Sequence, residues 1–185
     1  MTPLTFPYIS FEKNTFIEGA DYTFTLSASY NLGTARAHVE FNINKGPKWG
    51  TFFIDKTSGV EYVDVFEMKA LDWKDPEETD YPLKYGYKYT NADGLDVDLR
   101  KPSTDASFKT SLPNVSANNM TLKLCIFDSL EAHVESTKSV SVEKQDTATR
   151  TATVDTLINS LSRSQIDDRA AIINSLPTDM TLTDS

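Results

Sequence analysis

LDWKDPEETDYPLKYGYKYTNADG, residues 71–94, is the stretch on which the fold turns. Inside it, Leu83, Tyr85, Tyr87 and Tyr89 alternate with Lys84, Gly86 and Lys88. A period of two places the four apolar side chains on one face of an extended strand. The lysines fall on the opposite face, where their stems lie along the sheet and their charges stay in water. That is the alternation of a strand with one buried side. Each large side chain so buried contributes roughly 2–3 kcal/mol. The tyrosine row therefore predicts a core in preference to an aromatic platform for sugars or bases. Trp73 stands ahead of the strand, at the mouth of an acid-rich loop, and is expected to plug that corner. Asn91-Ala92-Asp93-Gly94 ends the strand, and the Asp-Gly pair predicts a tight primed hairpin turn.

The same grammar extends in both directions. YTFTLSASY (22–30) and ARAHVEFNI (35–43) are alternating and rich in β-branched or aromatic residues. Gly46-Pro47 breaks the chain. GTFFID (50–55) and YVDVFEMKAL (62–71) read as strands around KTSGV, a turn in which Gly59 is free to take positive φ. LDVDL (95–99), ASFKTSL (106–112), MTLKLCIFD (120–128) and AHVESTKSVSVEK (132–144) complete the series. No helical run separates consecutive strands. This predicts a mainly β chain built as an antiparallel β-sandwich, not a parallel α/β sheet.

The composition changes after residue 145. Aromatic residues stop. Val154, Leu157, Ile158 and Leu161 recur at helical spacing, and Ile166, Ala170, Ile173 and Leu176 do so again behind Ser164 as N-cap and ahead of Pro177. Two short C-terminal helices are expected, their apolar stripes needing a partner. The organisation read here is thus 1–37 as N-terminal strands, 38–145 as the sandwich, and 146–185 as a helical segment and tail.

The formal charge is −9, with no cluster of basic residues to meet a row of phosphates, which excludes nucleic acid as a partner. No apolar run reaches the ~20 residues of a membrane helix, and MTPLTFPYIS has neither the basic nor the apolar region of a signal peptide. The chain is read as cytosolic or as a segment of something longer. Cys125, the single cysteine, sits within a strand and reads as a buried, inert thiol. His38 and His133 read as strand residues. No nucleophile elbow, zinc spacing or phosphate-binding glycine loop occurs, so no catalytic residue and no cofactor are assigned.

Oxygen ligands offer more. Asp72, Asp75, Glu77, Glu78 and Asp80 crowd one loop. Asn91, Asp93, Asp96 and Asp98 carry part of a calcium-loop pattern, with the glycine displaced and no glutamate at the twelfth position. Asp93, Asp96 and Asp98 are the calcium candidates, against a solvated hairpin. Two glycosylation sequons, Asn114-Val115-Ser116 and Asn119-Met120-Thr121, share the polar loop LPNVSANNMT. Asn114 and Asn119 are both candidate glycan acceptors on an extracellular surface.

The order of these features resembles the receptor-for-egg-jelly (REJ) module of polycystin-type ectodomains. The matching positions are Thr57, Ser58 and Gly59 in a turn, Phe66 in the next strand, and Trp73 and Asp75 at the corner. Pro82, Leu83, Tyr85 and Tyr87 follow, then Leu112-Pro113, Phe127-Asp128, and Val140 with Val142 in a closing strand. They cover residues 38–144. The cysteines usual in that family near the first turn are missing here, and with them the disulfide. The resemblance implies an immunoglobulin- or fibronectin-III-like sandwich in a large extracellular, ciliary-surface or filament protein. It implies a structural or adhesive role without catalysis. Its partners would be other modules, copies of itself, or glycans, and this segment would make no membrane contact of its own. The other reading it carries is a glycan- or calcium-binding ectodomain of a polycystin-like receptor or channel.

Overall fold

Strands β1 (Asp21–Tyr30) and β2 (Gly33–Asn42) form an antiparallel hairpin paired residue for residue from Asp21↔Asn42 to Tyr30↔Gly33. On one face of it Phe11 and Phe16 gather against Tyr22, Phe24 and Phe41, with ring centroids 4.8–6.3 Å apart. This hairpin belongs to the first of two compact units, Met1–Gly46 and Pro47–Ser185. Position 37 lies inside β2, and the division between the units falls at Gly46-Pro47. The computed structural model describes residues 8–12, 15–31, 33–115 and 119–160.

Among its described residues the second unit holds eight strands in two sheets. They are β3 (Thr51–Ile54), β4 (Ser58–Val60), β5 (Val65–Leu71), β6 (Lys84–Thr90), β7 (Asp96–Ser103), β8 (Ser107–Ser111), β9 (Asn119–Phe127) and β10 (His133–Glu143). One sheet runs β3-β5-β8 and the other β4-β10-β9-β6-β7. Phe52, Phe66, Met68 and Ala70 from the first sheet share a core with Tyr87, Tyr89, Leu99, Met120, Leu122, Leu124, Ile126, Val140 and Val142 from the second. Leu83 and Leu112 close it at the ends of their loops. The mainly β sandwich expected from the alternation is therefore the fold.

Strand β6 behaves as its pattern requires. Tyr87 is fully buried, Tyr89 nearly so, and Tyr85 packs half-buried against the core. Tyr81-Pro82 is a cis peptide just ahead of it. The pairing with β7 shifts register on both sides of Tyr87, which marks a bulge.

Two local expectations are corrected. Ser58-Gly59-Val60 is not a turn with a left-handed glycine. It is strand β4, paired parallel to β10 through Gly59↔Val142, the one parallel pairing among the described residues. Gly59 is needed for closeness: a Cβ there would stand 2.8 Å from the Asp64 side chain and 2.9 Å from the Phe66 ring. Three residues are too few to display an alternation, so turn-forming composition masked the strand. Second, the hairpin after β6 is longer than a two-residue primed turn. Asn91 Oδ1 accepts from the amides of Asp93 and Leu95, the Gly94 amide donates to the Asn91 carbonyl, and Gly94 alone takes the left-handed conformation, at φ 78°. The first of the expected C-terminal helices is present as α1 (Thr147–Ser160), with Asp146 as N-cap accepting from the Thr149 amide at 3.0 Å and Val154 buried. The second helical run, from Ser164 to Pro177, lies outside the described residues.

Candidate functional site

The acid-rich loop joins β5 to β6 and begins with strain. Asp72, directly after β5, holds φ at 58°. That bend sends residue 74 back to pair with residue 48: the Lys48 amide donates to the Lys74 carbonyl at 2.7 Å, and the Lys74 amide returns the bond at 3.1 Å. The two-way bridge holds Trp73 over Gly50, where a Cβ would lie 2.1 Å from the indole. Trp73 thus plugs the corner as its position suggested, half-buried against the core.

This loop and the β9–β10 loop beside it hold three buried carboxylates. Asp75 is 7% exposed, Asp80 4% and Asp128 not at all. Asp75 Oδ1 accepts from the Glu77 amide at 2.9 Å, and its own amide donates to the Tyr81 hydroxyl at 3.0 Å. Asp80 Oδ1 accepts from the Thr79 hydroxyl at 2.9 Å, while its carbonyl accepts from the Ser129 amide at 3.0 Å. That last bond stitches the β5–β6 loop to the β9–β10 loop. Asp128 Oδ1 accepts from the amides of Leu130 and Ala132, both at 2.9 Å, which shapes the β9–β10 turn. The second oxygens of Asp75 and Asp80 are buried with no hydrogen-bond partner. Burial raises the Asp75 carboxyl above its ordinary range; the Glu77 amide opposes this, and the charges of Asp128 and Asp80 reinforce it. At Asp75 and Asp128 the corner is a scaffold of carboxylates folded onto backbone amides.

The calcium candidates lie elsewhere and are differently engaged. Asp93 is exposed in the β6–β7 turn. Asp96 receives the Lys123 ammonium at 2.8 Å and the Thr90 hydroxyl at 3.0 Å, and the lysine holds its carboxyl below the usual range. Asp98 pairs with Lys88 at 3.6 Å. Lysines on the outer face of the sheet thus take the place a cation would occupy at Asp96 and Asp98. Among the described residues, no group of three or more acidic, histidine or cysteine side chains is arranged to hold a metal ion. The sequence shows the crowding of Asp75 and Asp80 but not their burial, which involves the distant β9–β10 loop.

The two sequons part company. Asn114 is half-buried, its side-chain amide donating to the Val142 carbonyl and its backbone amide to Glu61 Oε2 at 3.2 Å. Glu61, 2% exposed, also accepts from the Gln145 amide through Oε1 at 2.8 Å. Asn119 is exposed at the start of β9.

Cys125 is buried, its thiol pushed up to about 11 by burial and the nearby Glu135 carboxylate. A thiol so placed is protonated at neutral pH and a poor nucleophile. His133 stacks on Phe127 at 5.2 Å, and His38 is an exposed residue of β2. No described helix is long and apolar enough to cross a membrane.

A family model described as the REJ domain matches residues 1–171 of the chain. No curated protein matches it.

Proposed function

The chain belongs to the REJ domain family, a module of polycystin-type extracellular regions, and on that premise we propose that it is a non-enzymatic structural and adhesion module of a large extracellular or ciliary-surface protein. It works by packing and by protein–protein contacts with neighbouring modules or copies of itself. The observation that carries this reading is the β6 tyrosine row, whose Tyr87 and Tyr89 are enclosed between the sheets and so unavailable to a ligand. A second support comes from the β1–β2 hairpin. Leu26 and Val39 share the face of Phe24 and Phe41, beyond the reach of the Phe11–Phe16 cover, and are 73% and 57% exposed. Two strands alone are marginal in water, and an apolar end of this kind suits a neighbouring module.

The calcium-binding reading keeps one observation in its favour, the unpartnered second oxygens of Asp75 and Asp80. Thermal unfolding of the purified chain with and without millimolar calcium separates the two. A structural module melts at the same temperature in both. A rise of several degrees, abolished by Asp75→Asn, would replace the structural reading with the cation-binding one.

A further inference from the structure

We infer that Asn119 is the N-glycan acceptor of this chain and that Asn114, though it stands in an equally good sequon, is a structural strut that cannot carry a sugar in the folded state. The inference rests on the extracellular reading above and extends it to one residue.

A glycan is joined through the side-chain nitrogen of asparagine, so the surroundings of that nitrogen decide the matter. At Asn114 the nitrogen is in close contact with the Val142 carbonyl of β10. Leu112 and Pro113, immediately before it, are buried, and Glu61 is buried beside its backbone. A sugar on this nitrogen would replace a hydrogen within a junction that ties the β8–β9 connection to β10. The linked amide keeps only one hydrogen, so the sugar must be housed inside that junction, beside buried Leu112, Pro113 and Glu61, or the junction must open.

Asn119 is the opposite case. In β9 the alternation sends Met120 into the core, 1% exposed, opposite the equally buried Val140. Asn119 and Thr121 therefore share the outer face of the sheet, and the residues paired with them in β10 are Ser141 and Ser139. Thr137, next on that face of β10, is exposed as well. The acceptor nitrogen and the hydroxyl of its sequon thus project together from a surface of short hydroxyl side chains, with no bulky or charged group paired with either. Such a surface leaves room for the first sugar and offers it hydrogen-bond partners.

The test is secretion of the full chain from a eukaryotic host behind a supplied signal sequence, which takes natural routing out of the question. Intact mass is then read before and after a peptide-N-glycosidase. Because Asn114→Gln would disturb the Val142 contact, the informative variants remove the sequon hydroxyls: Ser116→Ala and Thr121→Ala, with Asn119→Gln as a third. The expected result is one glycosidase-sensitive glycan on the wild type, retained in Ser116→Ala and lost in Thr121→Ala and Asn119→Gln. An unmodified wild type, a glycan lost in Ser116→Ala, or two glycans on a folded wild type would each overturn the assignment. None of those results touches the structural-module reading, which stands or falls on the calcium melt.

Discussion

The Tyr87 hydroxyl donates to the Ala106 carbonyl at 2.7 Å, and the Ala70 amide reaches the same oxygen at 2.8 Å. Tyr87 belongs to the five-stranded sheet and Ala70 to the three-stranded one, so a single acceptor at the β7–β8 turn ties both layers. Tyr87→Phe removes the bond without emptying the ring's place and leaves the carbonyl its Ala70 donor. The expected cost is about 0.5–1.5 kcal/mol. Tyr87→Ala adds the cavity, for roughly 3–5 kcal/mol. Urea titration should show falling midpoints at unchanged slope; a phenylalanine variant as stable as wild type would deny the tie.

Gly50→Ala tests the corner. Its methyl would enter the Trp73 indole at 2.1 Å, so either the ring or the Lys48–Lys74 bridge must shift. Overpacking of this kind costs about 1–3 kcal/mol. In a Trp49→Phe background, Trp73 is the only indole left, and its emission should move to the red as the ring is displaced into water. An unshifted spectrum and unchanged melting point would mean the ring does not rest on Gly50.

Glu61 is the buried acid whose loss should be most costly. Its two oxygens accept from the Asn114 and Gln145 amides, and its carbonyl accepts from the Gln145 side chain at 2.6 Å. Glu61→Ala strands two backbone donors, each a penalty of about 1–3 kcal/mol. Glu61→Gln keeps one strong acceptor and should fall between the alanine variant and wild type. Amide exchange should speed at Asn114 and Gln145 together; exchange at only one of them would show that the carboxylate does not join the two segments.

The pH response has two arms. Asp75 titrates above its ordinary value in the folded state, so the native chain holds a proton that the unfolded chain releases above about pH 3.9. Between that value and the raised one, stability increases as pH falls. Above the unfolded value the upward shift is a net cost, because the native chain must either bury a charge or hold a proton that the unfolded chain has released. Asp75→Asn keeps an acceptor for the Glu77 amide and should melt at or above wild type at pH 7, with the difference fading near pH 4. A lower melting point at pH 7 would sink this account. On the alkaline side, burial pushes Tyr87 and Tyr89 up to about 12 and Cys125 to about 11. The unfolded chain loses these protons first, so stability should decline as pH rises from about 8.5, through the thiol, and more steeply beyond about 10. Cys125 should stay silent to a thiol reagent until the chain unfolds.

What the linear order of residues determined was everything that depends on period and punctuation. The alternation from Leu83 to Tyr89, the inward row Met120, Leu122, Leu124 and Ile126 in β9, the break at Gly46-Pro47 and the family were all readable from it, because a strand's two faces are set by neighbours two positions away. Packing between distant segments decided the rest. β4 became a strand because β10 lay alongside it. Asp75 and Asp80 became buried where the β9–β10 loop closed over them, while Asp96 and Asp98 met lysines across the sheet. Asn114 and Asn119 carry the same local signal and received opposite environments. Burial of a polar group is a property of what the fold brings to it from elsewhere in the chain, and no local pattern records that.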